Sequence, residues 1–381
     1  MDRAVIGLFF LFIFVPAVMA VISGDASGPQ LTEKRRLTDR PALPGNAEAL
    51  MMYPREYERY FDDHFPFRTQ LIQGNNYLRV KILKQSDQRN VLMGRNGWLF
   101  YTREKVLKDF AGQAPFTVEH MERFRFMVES KRDWLAARGI NYIFAIPPNK
   151  QTVYPEHMPE NFYRVHGRTR MDQLIEYMQT HSDVVMVDLR SCLIAAKTMH
   201  QLYFRHDTHW NDIGALVGYG EIMHTVNRIL GGSVGKIRMI DDFTVARSER
   251  KGGDLAHMLG LGAYFTEEDF ILTPRRGPTC AKKVVLKDYP RPSWKLLQEQ
   301  FAMECSTATA TMVMFRDSFA TRMVPYLAEH FRRSVFLREW NYKADFFKAV
   351  IEKEMPDIVI DECGERMLYY LETGPFHRPT G

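Results

Sequence analysis

Thr311-Met312-Val313-Met314-Phe315 carries no charge and runs into Arg316-Asp317-Ser318-Phe319-Ala320. A short apolar run closed by a polar group reads as a buried strand, and Phe319 to Phe331 follows with helical periodicity. The chain therefore turns from strand to helix at Asp317 and Ser318. In an open parallel sheet, reactive groups gather at the carboxyl ends of strands, where backbone N–H groups and a helix's positive end can hold an anion. Ser318 is thus a candidate nucleophile. The plainer reading is that Asp317 or Ser318 caps the helix, a position both residue types favour.

The same rhythm extends outward. Ile140 to Ile146, ending at Pro147-Pro148, and Val184 to Val187 read as buried strands, as do Ser334 to Leu337 and Asp357 to Ile360. Phe116 to Arg138, stopping at Gly139, reads as a helix, as do Met171 to Thr180, Ile213 to Leu230 and Ala344 to Glu354. Strands alternating with helices predict an α/β fold built on a parallel, doubly wound sheet. Val91 to Met93 and Trp98 to Tyr101 flank Gly94-Arg95-Asn96-Gly97, the pattern of a hairpin. Residues 231–310 break the rhythm with Gly, Pro and charge, and read as an insertion on the α/β core. Tyr53 to Lys84 reads as helices broken at His64-Phe65-Pro66-Phe67-Arg68.

The 381 residues, 45% hydrophobic, suffice for a sizeable core and exclude a wholly disordered or collagen-like chain. A balance of 51 Lys and Arg against 46 Asp and Glu is too mild and scattered for a nucleic-acid protein. Ala4 to Ile22 is an uncharged apolar run after Arg3, and Val18-Met19-Ala20 offers small residues near its end. Residues 1–23 are therefore either a cleaved export signal or a retained membrane anchor. Residues 24–48 read as a linker and 49–381 as the working domain, lying outside the cytoplasm. Cys280 and Cys305 flank an irregular segment and are the expected disulfide, with Cys192 and Cys363 as buried thiols.

The second chemical segment is Tyr203-Phe204-Arg205-His206-Asp207-Thr208-His209-Trp210-Asn211-Asp212. On extended chain Asp207 and His209 project to the same side, so the carboxylate can orient an imidazole acting as general base for Ser318. A capping Asp beside a satisfied His is the alternative. His206, Asp207 and His209 also have the character of metal ligands, but no second cluster completes a site and neither metal nor cofactor is expected. Asn149 and Lys150, after the strand that ends at Ile146, are candidate donors to an oxyanion or substrate. Tyr326 and Arg338 are candidate cleft residues.

Taken in order, Glu33-Lys34-Arg35-Arg36 before Pro41, Phe61-Asp62-Asp63-His64-Phe65-Pro66-Phe67-Arg68, Gly97-Trp98-Leu99-Phe100-Tyr101, Pro147-Pro148-Asn149-Lys150, Asp207-Thr208-His209-Trp210 and Asp317-Ser318-Phe319 resemble the alginate O-acetyltransferase family of AlgJ and AlgX type. The resemblance spans roughly residues 33 to 370. It implies an SGNH hydrolase-like sheet sandwiched by helices, circularly permuted so that Asp and His precede Ser, with residues 231–310 inserted. By the same resemblance Ser318 is the nucleophile, His209 its base and Asp207 the orienting acid. The chain ends 63 residues past Ser318, which is nearer the membrane-tethered AlgJ type than members with a carbohydrate-binding module. The family implies a periplasmic enzyme, an anionic exopolysaccharide acceptor such as alginate, and a membrane-bound O-acyltransferase as donor partner. An acetyl esterase with the same three residues, or a non-catalytic glycan-binding scaffold, are the rivals.

Overall fold

Five strands run parallel because each apolar segment between helices is just long enough to cross a sheet covered on both faces. The computed structural model describes residues 2–23, 37–65, 67–83, 90–163, 167–276, 279–286, 289, 300–338 and 342–373. These fall into two units, 1–87 with 257–262, and 88–256 with 263–381.

In the first unit α1 spans Asp2–Ser23, α2 Ala47–His64 and α3 Arg68–Tyr77. The Asn46 carboxamide caps α2 by accepting from Ala49 N–H at 2.8 Å. The break between α2 and α3 falls where the sequence placed it, with Phe67 in the left-handed region at φ 62°. Side chains of many α1 positions lie outside the described residues, among which no helix is long and apolar enough to cross a membrane. The motif at 33–36 and the 24–36 part of the linker also lie outside them.

The second unit opens with β1 Val91–Met93 and β2 Leu99–Tyr101, an antiparallel hairpin in which Leu92 faces Phe100. Asn96 and Gly97 supply the positive φ that its tight turn requires. Next come α4 Val118–Ala136, β3 Asn141–Ile146, α5 Arg170–His181, β4 Val185–Asp188 and α6 Asp212–Ile229. Thr117 and Thr169 cap α4 and α5, and the Asn211 carboxamide caps α6. The insertion holds β5 Phe243–Lys251, β6 Thr266–Pro274, β7 Lys282–Val284 and β8 Phe301–Glu304. β9 Thr311–Phe315, β10 Arg333–Leu337, α7 Ala344–Glu354 and β11 Ile358–Glu362 complete the unit.

Among the described residues the main sheet has the order β4-β3-β11-β9-β10-β8-β7. β4, β3, β11, β9 and β10 are mutually parallel, and β8 and β7 close one edge antiparallel. The chain steps from β3 to β4 in one direction and from β9 to β10 in the other, then returns to lay β11 between β3 and β9. The carboxyl ends of β3, β11 and β9 therefore meet at the point where strand order reverses, the place such folds reserve for ligands.

Alternation along each strand divides the core in two. Ile143, Ala145, Met312, Met314, Phe336 and Ile360 face one core, shared with α6. Tyr142, Phe144, Val313, Phe315, Val335 and Val359 face the other, shared with α4, α5 and α7. Each large apolar side chain buried this way contributes about 1.5–3 kcal/mol.

Two expectations change. Residues 319–331 are not one helix but a 3₁₀ turn Phe319–Arg322, a single α turn Val324–Leu327 and a second 3₁₀ turn Ala328–His330. Pro325 has no N–H to donate to the turn before it, so a continuous ladder cannot pass through. The insertion is also more ordered than its composition suggests: β5 and β6 pair from Phe243↔Pro274 to Lys251↔Thr266, and β7 and β8 extend the main sheet. Cys280 and Cys305 form the disulfide, while Cys192 and Cys363 are free.

Candidate active site

The Asp207–His209 segment is a tight loop rather than the extended chain expected. Tyr203 and Trp210 form an isolated antiparallel bridge, and Phe204 N–H donates to His209 O at 3.2 Å, closing 204–209 upon itself. Within the bend Asp207 Oδ1 accepts from His209 N–H at 3.1 Å and lies 2.7 Å from His209 Nδ1. The carboxylate thus makes Nδ1 the protonated nitrogen and leaves Nε2 as the acceptor. His209 Nε2 lies 2.8 Å from Ser318 Oγ. Trp210 is fully buried, and its indole N–H donates to Phe319 O at 2.9 Å, so the loop and the turn after β9 are fastened side by side.

That turn is built by Asp317. Its Oδ1 accepts from Phe319 N–H at 2.7 Å and its Oδ2 from Gly364 N–H at 3.0 Å, while its own N–H donates to Glu362 Oε2 at 2.9 Å. Of the two capping candidates, Asp317 makes the local bonds and Ser318 makes no side-chain cap bond. The Ser318 hydroxyl is therefore left for His209. The Ser318 amide N–H and the Asn149 carboxamide bond to no described protein group, and both stand at carboxyl ends of strands, β9 and β3.

The environment keeps Asp207 charged. Burial opposes ionisation, but the bond to His209, the charge of His209 and the Arg250 guanidinium, Nη2 to Oδ2 at 2.7 Å, outweigh it and hold the carboxyl well below the usual range. Arg250 lies at the end of β5 and rests on the Phe204 ring, 4.1 Å from its centroid. Asp254 follows on the same insertion and accepts from Thr208 N–H at 2.7 Å and from the Thr208 hydroxyl. Its Oδ2 is 3.6 Å from His209 Nδ1, and burial followed by the nearby Asp207 charge raises its pKa. Gly253, at φ +118°, has a place where a Cβ would stand 2.2 Å from His206 O, so only glycine permits this approach.

Lys150 is not available to a substrate. Its ammonium, buried beneath the loop, donates to Phe204 O at 3.0 Å, Arg205 O at 3.0 Å and Asp207 O at 2.7 Å, which uses all three donors. Burial lowers its pKa to about 8 against the pull of Asp254, Asp207 and Glu267. Tyr326 is likewise packing: its ring lies 5.7 Å from Tyr219 and 5.6 Å from Phe243, in the core beside α6. Arg338 follows the end of β10 and is half-buried there.

Arg250, Asp254 and Glu362 were not singled out by the sequence, nor was Arg366. The Arg366 guanidinium lies 5.2 Å from the Phe319 ring and 5.6 Å from the Tyr101 ring, and has no ion pair among the described residues. That Phe319 ring is also 5.1 Å from the His209 ring, so one side chain separates imidazole and guanidinium. Ligand atoms of Asp207, His209 and Asp254 lie within 4.8 Å of one another, as a metal site would need. His209 Nδ1 and Arg250 already occupy the two Asp207 oxygens, a donor set that suits an oriented imidazole better than a cation. His206 stays apart, its ring against Phe265 at 4.6 Å.

The sequence profile described as SGNH hydrolase-like domain, acetyltransferase AlgX, matches residues 91–281, which include Asn149, Asp207, His209, Arg250 and Asp254. The probable alginate O-acetylase AlgJ of Pseudomonas aeruginosa is 28% identical over 221 residues, 55% of this chain and 51% of the relative. The protein of the same description from Pseudomonas syringae pv. tomato is 30% identical over 168 residues, 42% of this chain and 39% of the relative. The chain spans about half the length of the curated relatives it matches. Among solved structures, Bacillus cereus PatB1 with a sulfonyl adduct superposes with a TM-score of 0.53 at 19% identity, covering 73% of this chain and 97% of that one, a likeness of fold.

Proposed function

We propose, from the premise that this chain belongs to the family of SGNH hydrolase-like domains of the acetyltransferase AlgX, that it is an O-acetyltransferase working through an acetyl-serine. The observation that carries the reading is the unbroken hydrogen-bond chain Asp207–His209–Ser318, with Ser318 half-exposed at the reversal point of the sheet. His209 Nε2 takes the Ser318 proton as Oγ attacks the acetyl carbonyl carbon, and the tetrahedral oxyanion is held by the Ser318 amide and the Asn149 carboxamide. The leaving group departs with the proton from His209. An acceptor hydroxyl then gives its proton to His209, attacks the acetyl-serine, and Ser318 Oγ recovers the proton.

An anionic exopolysaccharide such as alginate fits as acceptor, since the Arg366 guanidinium, without an ion pair among the described residues, lies beside the Phe319 ring and the curated relatives are named probable alginate O-acetylases. In this proposal the apolar segment 4–22 exports the chain to the periplasm or holds it at the inner membrane, next to a membrane-bound O-acyltransferase that supplies acetyl groups. An esterase would use the same three residues, and the difference lies in whether a sugar hydroxyl outcompetes water.

The test incubates residues 37–381 with an activated acetyl ester and short mannuronate oligomers, beside Ser318→Ala and with and without a chelator. Acetylated oligomer that depends on Ser318 and resists the chelator is the expected result. Release of acetate alone makes the protein an esterase, and modification that persists in Ser318→Ala removes the serine mechanism.

A further inference from the structure

Glu362 is the last residue of β11 and is wholly buried. Asp361 is level with Phe315 on β9, so Glu362 stands beside the chain as it leaves that strand towards Ser318. Its Oε2 accepts from Asp317 N–H, and its Oε1 is buried and bonds to no described group. A buried carboxylate oxygen without a donor is costly, whereas a buried carboxylic acid is itself a donor. The group beside it is the Asp317 carboxyl, whose two oxygens already accept from Phe319 and Gly364 N–H. Two such groups out of water cannot both be charged. The two amide bonds favour the charge on Asp317, which puts the proton on Glu362.

We propose that Glu362 is kept as the neutral acid, its proton directed from Oε1 to the Asp317 carboxylate, and that it is thereby a positioning residue for Ser318. The inference rests on the reading of Ser318 as nucleophile. It gives the turn an order of command: Glu362 fixes Asp317, Asp317 fixes the Phe319 and Gly364 amides, and these aim Ser318 Oγ at His209. Loss of the proton would set two carboxylates against each other under the nucleophile, so acylation should fall on the alkaline side.

Few charges oppose this. Burial first, then the Asp317 charge, pushes Glu362 well above the ordinary value of 4.5. Arg316, at the end of β9, pulls the other way, but its Nη1 donates to Asp317 O and the Thr321 hydroxyl. From β3 the residue level with Glu362 is Ala145, which carries no charge. On β11 itself Asp361 is paired with Lys131 at 2.8 Å, and the Cys363 thiol is buried with its pKa pushed up. Beyond the strand Glu365 accepts from Asn149 N–H and the Thr152 hydroxyl, and burial raises it to about 7.

The test compares wild type, Glu362→Gln and Glu362→Ala in two readouts. In acylation of Ser318 by an activated ester, Gln, which still donates a hydrogen bond, should stay near wild type at neutral pH and keep its rate where wild type declines with alkali. Ala should lose about a hundredfold, the scale set by a small misplacement of a reacting atom. In thermal unfolding against pH the sign is fixed. The folded chain keeps a proton that the unfolded chain releases near 4.5, so this group's contribution to stability falls as pH rises from there, and Glu362→Gln lacks that contribution to the slope. Equal losses in Gln and Ala, or identical pH slopes in wild type and Gln, would overturn the proposal. An absence of acylation in wild type removes the nucleophile reading, and the unfolding slopes then still decide the protonation of Glu362.

Discussion

The turn at 315–319 and the loop at 203–210 meet at two hydrogen bonds, His209 to Ser318 and Trp210 to Phe319, yet they are held in different ways. The turn hangs from the centre of the sheet: β9 lies between β11 and β10, and its supports, Asp317, Glu362 and Gly364, come from adjoining strand ends. The loop has no strand of its own. It is held by a bridge at its neck, by Lys150 from below and by Arg250 and Asp254 from the insertion. Ser318 is therefore placed by the central sheet, and His209 and Asp207 by a loop that the insertion holds.

Asp207 carries the largest expected effect. Asp207→Asn keeps the shape but loses the charge and the tautomer, and kcat for acyl transfer should fall by on the order of 10⁴, with the fold unchanged by circular dichroism. A fall of less than tenfold would mean that Asp254, 3.6 Å from His209 Nδ1, serves as the orienting acid instead.

Arg250→Ala tests the insertion's hold. It strips the counter-charge from a buried carboxylate and should cost about 2 kcal/mol in denaturant unfolding, less than for a fully buried pair because Arg250 is partly exposed. Acylation should slow as well, with Arg250→Lys recovering part of the loss. Gly253→Ala strikes the same contact through the backbone, and strain at positive φ plus the clash with His206 O should destabilise by about 1–3 kcal/mol. A wild-type rate in either variant would show that the insertion does not position the base.

Lys150 gives the most specific effect, one that shows only as a dependence on pH. Between its folded value of about 8 and the ordinary 10.5 the unfolded chain binds more protons than the folded, so this group makes stability rise with pH across that window. Lys150→Met should remove that slope, as read from unfolding midpoints at several pH values.

Much of the frame was legible in the sequence. Thr311–Phe315 and Ala344–Glu354 fall where their periodicity put them, because buried parallel strands and amphipathic helices are written in short-range pattern. The helix expected over 319–331 failed on Pro325, and β7 and β8 escaped notice because strands of three and four residues carrying Lys282, Lys283 and Glu304 are too short to show a period. Asp207, His209 and Ser318, which the structure brings together, and Asn149 could be singled out in the sequence because their spacing is local or their strand ends are marked. Arg250, Asp254 and Glu362 act across 43 to 47 residues of chain, through a hairpin and a strand register that no local pattern encodes. Lys150 was placed at the right strand end and given the wrong task, since only the fold decides whether a side chain faces the cleft or the underside of a loop.

The most direct test is to quench the protein with acid after brief exposure to an activated acetyl ester and map the acetyl group by peptide mass spectrometry. One acetyl per chain on Ser318, absent from Ser318→Ala and strongly reduced in His209→Ala, is the expected result. Acetyl on another residue, or an equal yield on Ser318 without His209, would contradict the assignment of nucleophile and base.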